Sequence, residues 1–392
     1  MWCRDWDSSS YLAFWPASKR LKSALTERKR GIKYTLPGMK YEFNEKKELS
    51  EECAQIMEKS FDTVNEERNW NGLKQLLDIR EHLAAVEGTG KILTLLGQGM
   101  DKSGRSSTLT PFSLEIWSIR CQLLFGLKKF TELLDELTSF EELDAPDLFF
   151  QYHDEQKEGS MIPFALRMVH AEALVHSPLP IQAIGRVDRL IADVTTVIGN
   201  IPQESPESHT QGWQERLKAV KYMRSRIFHE LHYPNLVVSA IEEMISEENE
   251  KTQKDLSFLL ARIHLIRSEE EQAQQALVEI KESDEDMKVQ HETFLSMYKG
   301  EREQMQALLE EYATNHEGSS AILNNLAIAR LFNARPQEAA SLLIEVARKC
   351  ISSNQPLHPV IAQNIRTISE FTLANKTKDL ILNELSAVLP QQ

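Results

Sequence analysis

Residues 322–350 read ILNNLAIARLFNARPQEAASLLIEVARKC, and this stretch holds two runs of apolar residues at helical spacing. Leu326 and Ala327 lie on one face of a first predicted helix. Ala339 and Leu343 lie on one face of a second, which opens at a proline because the first position of a helix needs no backbone N–H. The stretch therefore predicts two antiparallel helices joined by a tight turn.

The same spacing recurs through the C-terminal half of the chain. A small or apolar residue is followed 12 positions later by a second one, and 4 positions after that by an apolar residue. The second members recur every 32–34 residues, close to the 34-residue period of the tetratricopeptide (TPR) repeat. The triplets are Phe228, Ala240 and Met244; Ala261, Ala273 and Leu277; Thr293, Met305 and Leu309; and Ala327, Ala339 and Leu343.

Two further units fit the template upstream, and longer spacings separate them. Their triplets are Cys121, Leu133 and Leu137, and Ala171, Ala183 and Val187. Loop-forming residues supply the extra length at 140–160 and 199–212. We expect an all-α, TPR-type helical solenoid of about six helix-pair repeats, with a C-terminal capping pair and a partly irregular N-terminal extension.

The sequence divides into three predicted regions. Residues 1–48 form an N-terminal extension that is rich in tryptophan and basic residues, residues 49–109 hold a helix pair and a glycine-rich connection, and residues 110–392 form the solenoid. Five glycines predict the connection because glycine disfavours helix interiors. They are Gly88, Gly90, Gly97, Gly99 and Gly104.

Local composition predicts several breaks and turns. The basic run Lys19–Lys33 favours a solvated linker over a targeting or membrane patch. The helix pair after residue 49 is expected to break near Asn69 and Asn71. Gly126 and Gly300 fall where two of the repeat turns are expected, since glycine readily adopts positive φ.

Composition and charge narrow the possible ligands and locations. The net charge of −14 disfavours nucleic acid as the main ligand, since phosphate binding needs a basic surface. No run of about 18 apolar residues and no signal-peptide core occurs, so a cytoplasmic protein without a transmembrane segment is expected. The cysteines are scattered singly, which favours free thiols: Cys3, Cys53, Cys121 and Cys350.

Three short motifs resemble chemical sites, and each fails a specific requirement. EGTGK around Lys91 lacks the spacing and the hydroxyl residue of a phosphate loop. HELH at 229–232 is one residue shorter than the HExxH zinc motif, so its histidines are three and not four positions apart. Ser160 and His170 lack the strand-to-helix turn of a nucleophile elbow, and Ser160 is better interpreted as a helix N-cap. We therefore expect no enzyme activity and no catalytic, cofactor or metal site.

Two groups of residues are candidates for contact with a partner. Trp2, Trp6 and Trp15 are half of the six tryptophans of the chain. Tryptophans that dense in a polar segment often anchor it to a partner or to its own fold, and the sequence leaves both alternatives open. The second group follows the acidic insert and is not explained by repeat packing: Ser160, Met161, Pro163 and Phe164.

Specific stretches resemble a known family. They read GSMIPFALRMVHAEA at 159–173, SSAILNNLAIARLFNARPQEAASLL at 319–343 and NIRTISEF at 364–371. Together they are similar to the C-terminal half of the TPR-containing twelfth subunit of the transport protein particle (TRAPP) complex of animals. The resemblance covers roughly residues 110–390.

The resemblance implies a non-catalytic adaptor in a TRAPP III-like assembly. Such an assembly tethers membranes and promotes nucleotide exchange on a Rab1-type GTPase in ER-to-Golgi transport and autophagy. The implied partners are other TRAPP subunits, especially the eleventh large subunit and the small-subunit core, with peripheral location at the ER–Golgi intermediate compartment and Golgi. The alternative is a co-chaperone adaptor that binds Hsp70 or Hsp90 C-termini, for which Asn324 and Asn325 are suitable but basic partners on the preceding helix are missing.

Overall fold

A computed structural model describes residues 14–27, 31–43, 50–278, 285–315, 319–353, 357–372 and 385. Within these ranges the secondary structure is helical, apart from one isolated β-bridge, which confirms the all-α, TPR-type prediction. The α-helices are α1 (Lys19–Thr26), α2 (Glu51–Ser60), α3 (Glu66–Asp78), α4 (His82–Leu95), α5 (Pro111–Gly126), α6 (Phe130–Leu137), α7 (Phe150–His153), α8 (Phe164–Glu172), α9 (Gln182–Asn200), α10 (Glu207–Glu230), α11 (Pro234–Glu247), α12 (Glu250–Ile266), α13 (Glu270–Val278), α14 (Glu285–Lys299), α15 (Arg302–Asn315), α16 (Ser320–Phe332), α17 (Pro336–Ser352) and α18 (Pro359–Thr372).

The described residues group into two compact units, one ending at Ala240 and the other beginning at Ile241. The first unit has one continuous apolar core that extends from Trp15 to Ile227. The second has smaller clusters, each built by neighbouring helix pairs, as expected when a repeat contacts mainly the next repeat. The predicted domain boundaries at residues 48 and 109 stay predictions.

Five of the helix pairs that the repeat template predicts pack together. In the second unit α12 packs against α13, α14 against α15, and α16 against α17. In the first unit α5 packs against α6, and α9 packs against both α8 and α10. Of the predicted capping pair, the structure describes α18 and the buried Leu385, and the rest of the second helix lies outside the described residues.

The turn between the paired helices repeats the same backbone geometry. One residue adopts positive φ, and the next donates its N–H to the carbonyl five residues before it, a pattern that satisfies the open carbonyls at a helix end. Gly300 takes this position as predicted, but in the α5–α6 turn it falls to Lys128 and not to Gly126, which is the last residue of α5. The positions are Arg80, Lys128, His232, Ser268, Gly300 and Ala334.

The prediction of a glycine-rich connection is partly wrong, because Gly88 and Gly90 lie inside α4. Their missing side chains make room for neighbours: a Cβ at Gly88 would lie 2.9 Å from the ring of Phe61, and one at Gly90 would lie 3.1 Å from Met39. Both glycines are therefore explained by close packing against α4. Gly97, Gly99 and Gly104 do lie in the connection that follows α4.

The predicted break near Asn69 and Asn71 is also wrong, since α3 continues through both. The chain turns earlier, at residues 61–65. Asn69 is fully buried and holds that turn: its side-chain oxygen accepts from the Asn65 N–H at 2.9 Å, and its amide donates to the Ser60 carbonyl at 2.6 Å. A polar residue that indicates a loop in sequence here fixes the loop from within the next helix.

The basic run is not a solvated linker where the structure describes it. Ser18 caps α1, and Leu21 and Ala24 on that helix are buried in the first unit. Arg20 pairs with Glu141 and Asp144 of the insert. The charges that suggested a linker thus lie on the outer face of an amphipathic helix.

The second insert is shorter than the spacing suggests. The helix α9 continues to Asn200 and α10 begins at Glu207, so helical residues take up most of the extra length.

No helix in the described part of the chain is both long enough and apolar enough to cross a membrane.

Candidate interaction site

The N-terminal strap, defined here as residues 14–27 and 31–43, packs along the helices of the first unit. Its extended half is held by the buried carboxylate of Asp147 in the first insert. One oxygen of Asp147 accepts from the Tyr34 and Thr35 N–H groups at 3.0 and 2.8 Å, and the other accepts from the Thr35 hydroxyl at 3.0 Å. The hydroxyl of Tyr152 donates to the Ile32 carbonyl at 2.8 Å. The insert therefore serves as the receptor of the strap.

A buried ion pair holds the distal end of the strap. Arg120 on α5 donates two hydrogen bonds of 2.9 Å to the carboxylate of Glu136 on α6, and neither side chain is more than 1% exposed. The same guanidinium donates to the Val86 carbonyl of α4 at 3.1 Å and to the Tyr41 carbonyl of the strap at 2.9 Å. One cation thus connects three helices and the strap.

A second buried arginine, Arg167, lies at the N-terminal end of the strap. The guanidinium carbon of Arg167 lies 3.8 Å from the ring centroid of Trp15, and one of its N–H groups donates to the Ser160 hydroxyl at 2.6 Å. The Trp15 ring in turn lies 6.0 Å from that of Trp213 on α10. Burial lowers the pKa of Arg167 to about 9, and the charge of Asp193 opposes that shift. The Trp15 ring face, the Ser160 hydroxyl and the charge of Asp193 together stabilise this buried cation.

The stretch 159–164 lies inside the unit and not on its surface. Ser160, Met161 and Phe164 are buried, and Pro163 is half-buried. Backbone hydrogen bonds join it to the middle of the insert, from Met161 N–H to the Leu148 carbonyl and from Phe150 N–H to the Gly159 carbonyl. The Phe164 ring makes an edge contact with Trp213 at 5.8 Å.

Ser160 is not the N-cap of α8, which corrects the sequence prediction. Pro163 takes that position, and Ser160 forms an isolated antiparallel bridge with Phe149. Its hydroxyl accepts hydrogen bonds from Arg167 and from the Ile162 N–H at 3.2 Å. The extended backbone before a proline prevents the helix from starting sooner.

Ser160 and His170 have separate partners. His170 is buried, and its Nε2–H donates to the Glu141 carbonyl at 2.7 Å. Burial, with a smaller contribution from the positive charge of Arg186, lowers its pKa to about 3. The ring is thus neutral, and it anchors the insert to α8.

The EGTGK and HELH motifs also lie in ordinary helical structure. Lys91 of the EGTGK motif lies within α4 and pairs with Glu87 at 3.2 Å, so the motif does not form a loop. His229 is in the last turn of α10, and His232 takes the positive-φ position after it. In the described part of the chain, no group of three metal-ligating side chains comes together. The side-chain oxygen of Asn324 accepts a hydrogen bond of 2.8 Å from Asn364, and its NH2 group, the donor that a carboxylate clamp would use, lies 3.5 Å from the Asn325 oxygen.

The candidate partner contacts fall into two groups. Trp2 and Trp6 lie outside the described residues, and their role stays a prediction. Trp15 is 5% exposed and packs on the chain itself, in the same cluster as Phe164. Contact of the buried members with another protein also stays a prediction, and it would require displacement of the strap.

All ten predicted repeat-packing residues are buried, with exposures of 8% or less. The four residues from the first two repeats belong to the continuous core of the first compact unit. Ala261 shares a cluster with Ala273, and Ala327 shares one with Ala339, and direct packing of each pair at its helix crossing stays a prediction. The residues are Cys121, Leu133, Ala171, Ala183, Phe228, Ala240, Ala261, Ala273, Ala327 and Ala339.

The side chains that hold the strap were not predicted from the sequence. Arg120 had a usable signal, because a lone arginine within the apolar run IWSIRCQLLF predicts a buried cation in need of an acidic partner. Asp147 had none, since it lies in an insert that reads as an ordinary acidic loop. Its partners, Tyr34 and Thr35, are more than 110 residues away in sequence.

The sequence is similar to that of one trafficking complex subunit from two mammals. It is 30% identical over 211 residues to mouse trafficking protein particle complex subunit 12, which corresponds to 48% of this chain and 26% of that protein. It is 32% identical over 172 residues to the human protein of the same name, 40% of this chain and 23% of that protein. The resemblance to the twelfth TRAPP subunit is thus confirmed over this part of the chain, which spans about a quarter of those relatives.

No family model matches the chain. The solved TPR domain of P58(IPK) is similar over 83% of this chain and 98% of that domain, with 10% identity and a TM-score of 0.20, and nothing further rests on that likeness.

Proposed function

We propose that this chain is a non-catalytic scaffold subunit of a TRAPP III-like membrane-tethering complex. The observation that carries the proposal is its similarity to subunit 12 of the mouse and human trafficking protein particle complexes. Because the chain spans about a quarter of those proteins, its place in a complex is part of the proposal.

The architecture supports a binding role. A helical repeat array offers an extended surface whose parts are fixed by neighbouring repeats. In the first unit the strap adds contacts across several helices, which stiffens the array beyond what nearest-neighbour packing supplies. The side chains that could take part in catalysis or phosphate binding instead make structural contacts: Ser160 with Arg167, His170 with Glu141, and Lys91 with Glu87.

The proposed partners are other TRAPP subunits, in particular the eleventh large subunit and the small-subunit core. A Rab1-type GTPase would be reached indirectly through that core. The proposed setting is ER-to-Golgi transport and autophagy, with peripheral association at the intermediate compartment and Golgi. These assignments rest on the resemblance.

Affinity purification of the tagged full chain from its source cells, followed by mass spectrometry, tests the proposal. We expect stoichiometric recovery of TRAPP subunits. Asn324→Ala is the matched variant, because it removes the amide that an Hsp70 or Hsp90 tail would need while it leaves the first unit intact. TRAPP subunits should remain bound to this variant. Recovery of chaperones alone, with loss on Asn324→Ala, would overturn the proposal in favour of the co-chaperone alternative.

A further inference from the structure

A groove in the first unit lies between the α5–α6 turn, the end of α8 and the last turns of α10. Its volume is about 330 Å³. The His176 ring stacks on Phe130 with centroids 3.5 Å apart and planes 16° apart, which fixes one wall. The other apolar side chains that line it are Phe125, Val175 and Ile227.

A buried carboxylate also lines this groove. Glu172 is 6% exposed, and one of its oxygens pairs with Arg226. The second oxygen is buried and has no hydrogen-bond partner within the described residues. Burial raises the pKa of Glu172 to about 7, the pair with Arg226 opposes this shift, and the charge of Glu230 adds to it. An incompletely satisfied buried carboxylate costs free energy that a donor in the groove would recover.

We propose that this groove binds the cationic side chain of an arginine or lysine from a partner polypeptide. The guanidinium or ammonium group donates to the unpaired oxygen of Glu172, which a shift of the neighbouring groove side chains must first expose, and the aliphatic stem lies beside Val175 and Ile227. The aromatic wall favours a cation because the faces of aromatic rings carry negative charge. The net charge of −14 attracts basic partners over longer distances.

Two cations of the chain also line the groove, and neither takes the proposed position. Arg226 is about half exposed and already pairs with the first oxygen of Glu172. Lys128 is exposed at the positive-φ position of the α5–α6 turn. The bound cation would complete an arrangement in which two cations share one carboxylate, as occurs in buried charged triads.

A substitution at Gly126 can narrow the groove without changing the core, and it therefore tests whether the groove is the binding site. It lines the groove, and a Cβ built there meets nothing within 4 Å, so Gly126→Leu narrows the groove from its open side. Gly185 on the exposed face of α9 is the matched control, because a Cβ there also meets nothing within 4 Å. Glu172→Gln removes the charge and keeps the shape.

The test is a methyl-NMR titration of the full chain, with Val175 and Ile227 as reporters. The probe is the peptide acetyl-Leu-Arg-Leu-amide, and its comparison is the same peptide with neutral citrulline in place of arginine. We expect saturable shifts at both reporters with the arginine peptide, and affinity about tenfold or more above that of the citrulline peptide. Glu172→Gln should reduce the affinity to the citrulline level.

The two glycine variants locate the binding. Gly126→Leu should abolish the shifts, whereas Gly185→Leu should leave affinity unchanged. Absence of saturable shifts, equal affinity for the two peptides, or unchanged affinity in Gly126→Leu would each overturn the proposal. Because the probe is a synthetic peptide, these results do not depend on whether the chain joins a TRAPP complex.

Discussion

Arg120 is a fully buried cation whose hydrogen bonds reach two helices besides its own and the N-terminal strap. Removal of a charge from water costs several kcal/mol, and a buried pair recovers this only when its remaining donors are satisfied. Here the carboxylate of Glu136 takes two of the five guanidinium donors, and two backbone carbonyls take two more. The pair therefore specifies how α4, α5, α6 and the strap meet.

Arg120→Met should lower the free energy of unfolding by about 3–5 kcal/mol, because Glu136 is left as an unpaired buried charge. Arg120→Met combined with Glu136→Leu should recover most of that loss, since no charge remains. Urea denaturation followed by circular dichroism measures both. Arg189→Met is the control, since its pair with Glu142 is exposed and should cost about 1 kcal/mol or less. A double variant as unstable as the single one would mean that charge burial is not the cause.

His170 predicts a specific pH dependence. Its pKa of about 3 in the folded state lies below the value of about 6.5 in an unfolded chain, so the unfolded state binds more protons in that interval. Stability from His170 is thus complete above about pH 6.5 and is lost on acidification toward pH 3, by up to about 1.4 kcal/mol per pH unit. Glu115 and Glu172, whose pKa values burial raises to about 7, act in the opposite direction between about pH 4.5 and 7.

His170→Gln isolates this effect, because glutamine still donates to the Glu141 carbonyl but does not titrate. The wild-type chain should lose stability relative to the variant as the pH falls from about 6.5 to 4.5. The contributions of Glu115 and Glu172 are present in both chains and cancel in the difference. Urea unfolding at several pH values across this range measures it, and a difference that does not vary with pH would contradict the assignment.

The turns between paired helices repeat one backbone position with positive φ. Ala334 adopts φ of 59° between α16 and α17, and its neighbour Arg335 donates to the Arg330 carbonyl at 2.9 Å. A side chain in this region costs about 1–2 kcal/mol that glycine avoids. Ala334→Gly should therefore raise the free energy of unfolding by about 1 kcal/mol.

Ala307→Gly provides the opposite control for that substitution. Ala307 is exposed in the interior of α15, where glycine should lower the free energy of unfolding by about 1 kcal/mol. Urea midpoints of the two variants should move in opposite directions. Movement in the same direction would mean that the turn relaxes out of the left-handed conformation in solution.

The helices of the repeats could be predicted because their signal is local. Ala327 and Ala339 are 12 residues apart, and each pair repeats at nearly constant period. Gly88 could not be interpreted correctly, because its reason is the ring of Phe61, which only the folded chain brings against it. A glycine that gives close approach and a glycine that breaks a helix look the same in one sequence.

The candidate site was less predictable than the repeats for a related reason. The tryptophans of the N-terminal extension left two alternatives open, and the structure shows Trp15 on the fold of its own chain. Its position depends on Arg167 and Trp213, which lie about 150 and 200 residues further along the chain. No local pattern encodes such a pairing, whereas burial of an arginine within an apolar helix can be suspected from sequence.

The strap changes which contacts stabilise the first unit. Repeat arrays without such a segment are stabilised mainly between neighbours, so their ends open first. The strap instead contacts α4, α5 and the first insert at once, through Tyr41, Met39 and Thr35. The first unit should therefore unfold as one cooperative block that includes the N-terminal residues.

A truncated chain of residues 49–392 tests this expectation. Without the strap, Arg120 loses one acceptor, Asp147 loses its three donors, and the surface that covered Leu21 is exposed. Amide hydrogen exchange in α5 and α6 should accelerate by about tenfold or more, which corresponds to about 1.4 kcal/mol or more of lost local stability.

The second unit is the internal control for the truncated chain. Exchange in α16 and α17 should not change, because their core is formed within that unit. A synthetic peptide of residues 14–43, added to the truncated chain, should restore protection to α5 and α6 by mass action. Unchanged exchange in α5 and α6 after truncation would show that the repeats of the first unit are stable without the strap, and Arg120 would then be held by Glu136 and Val86 alone.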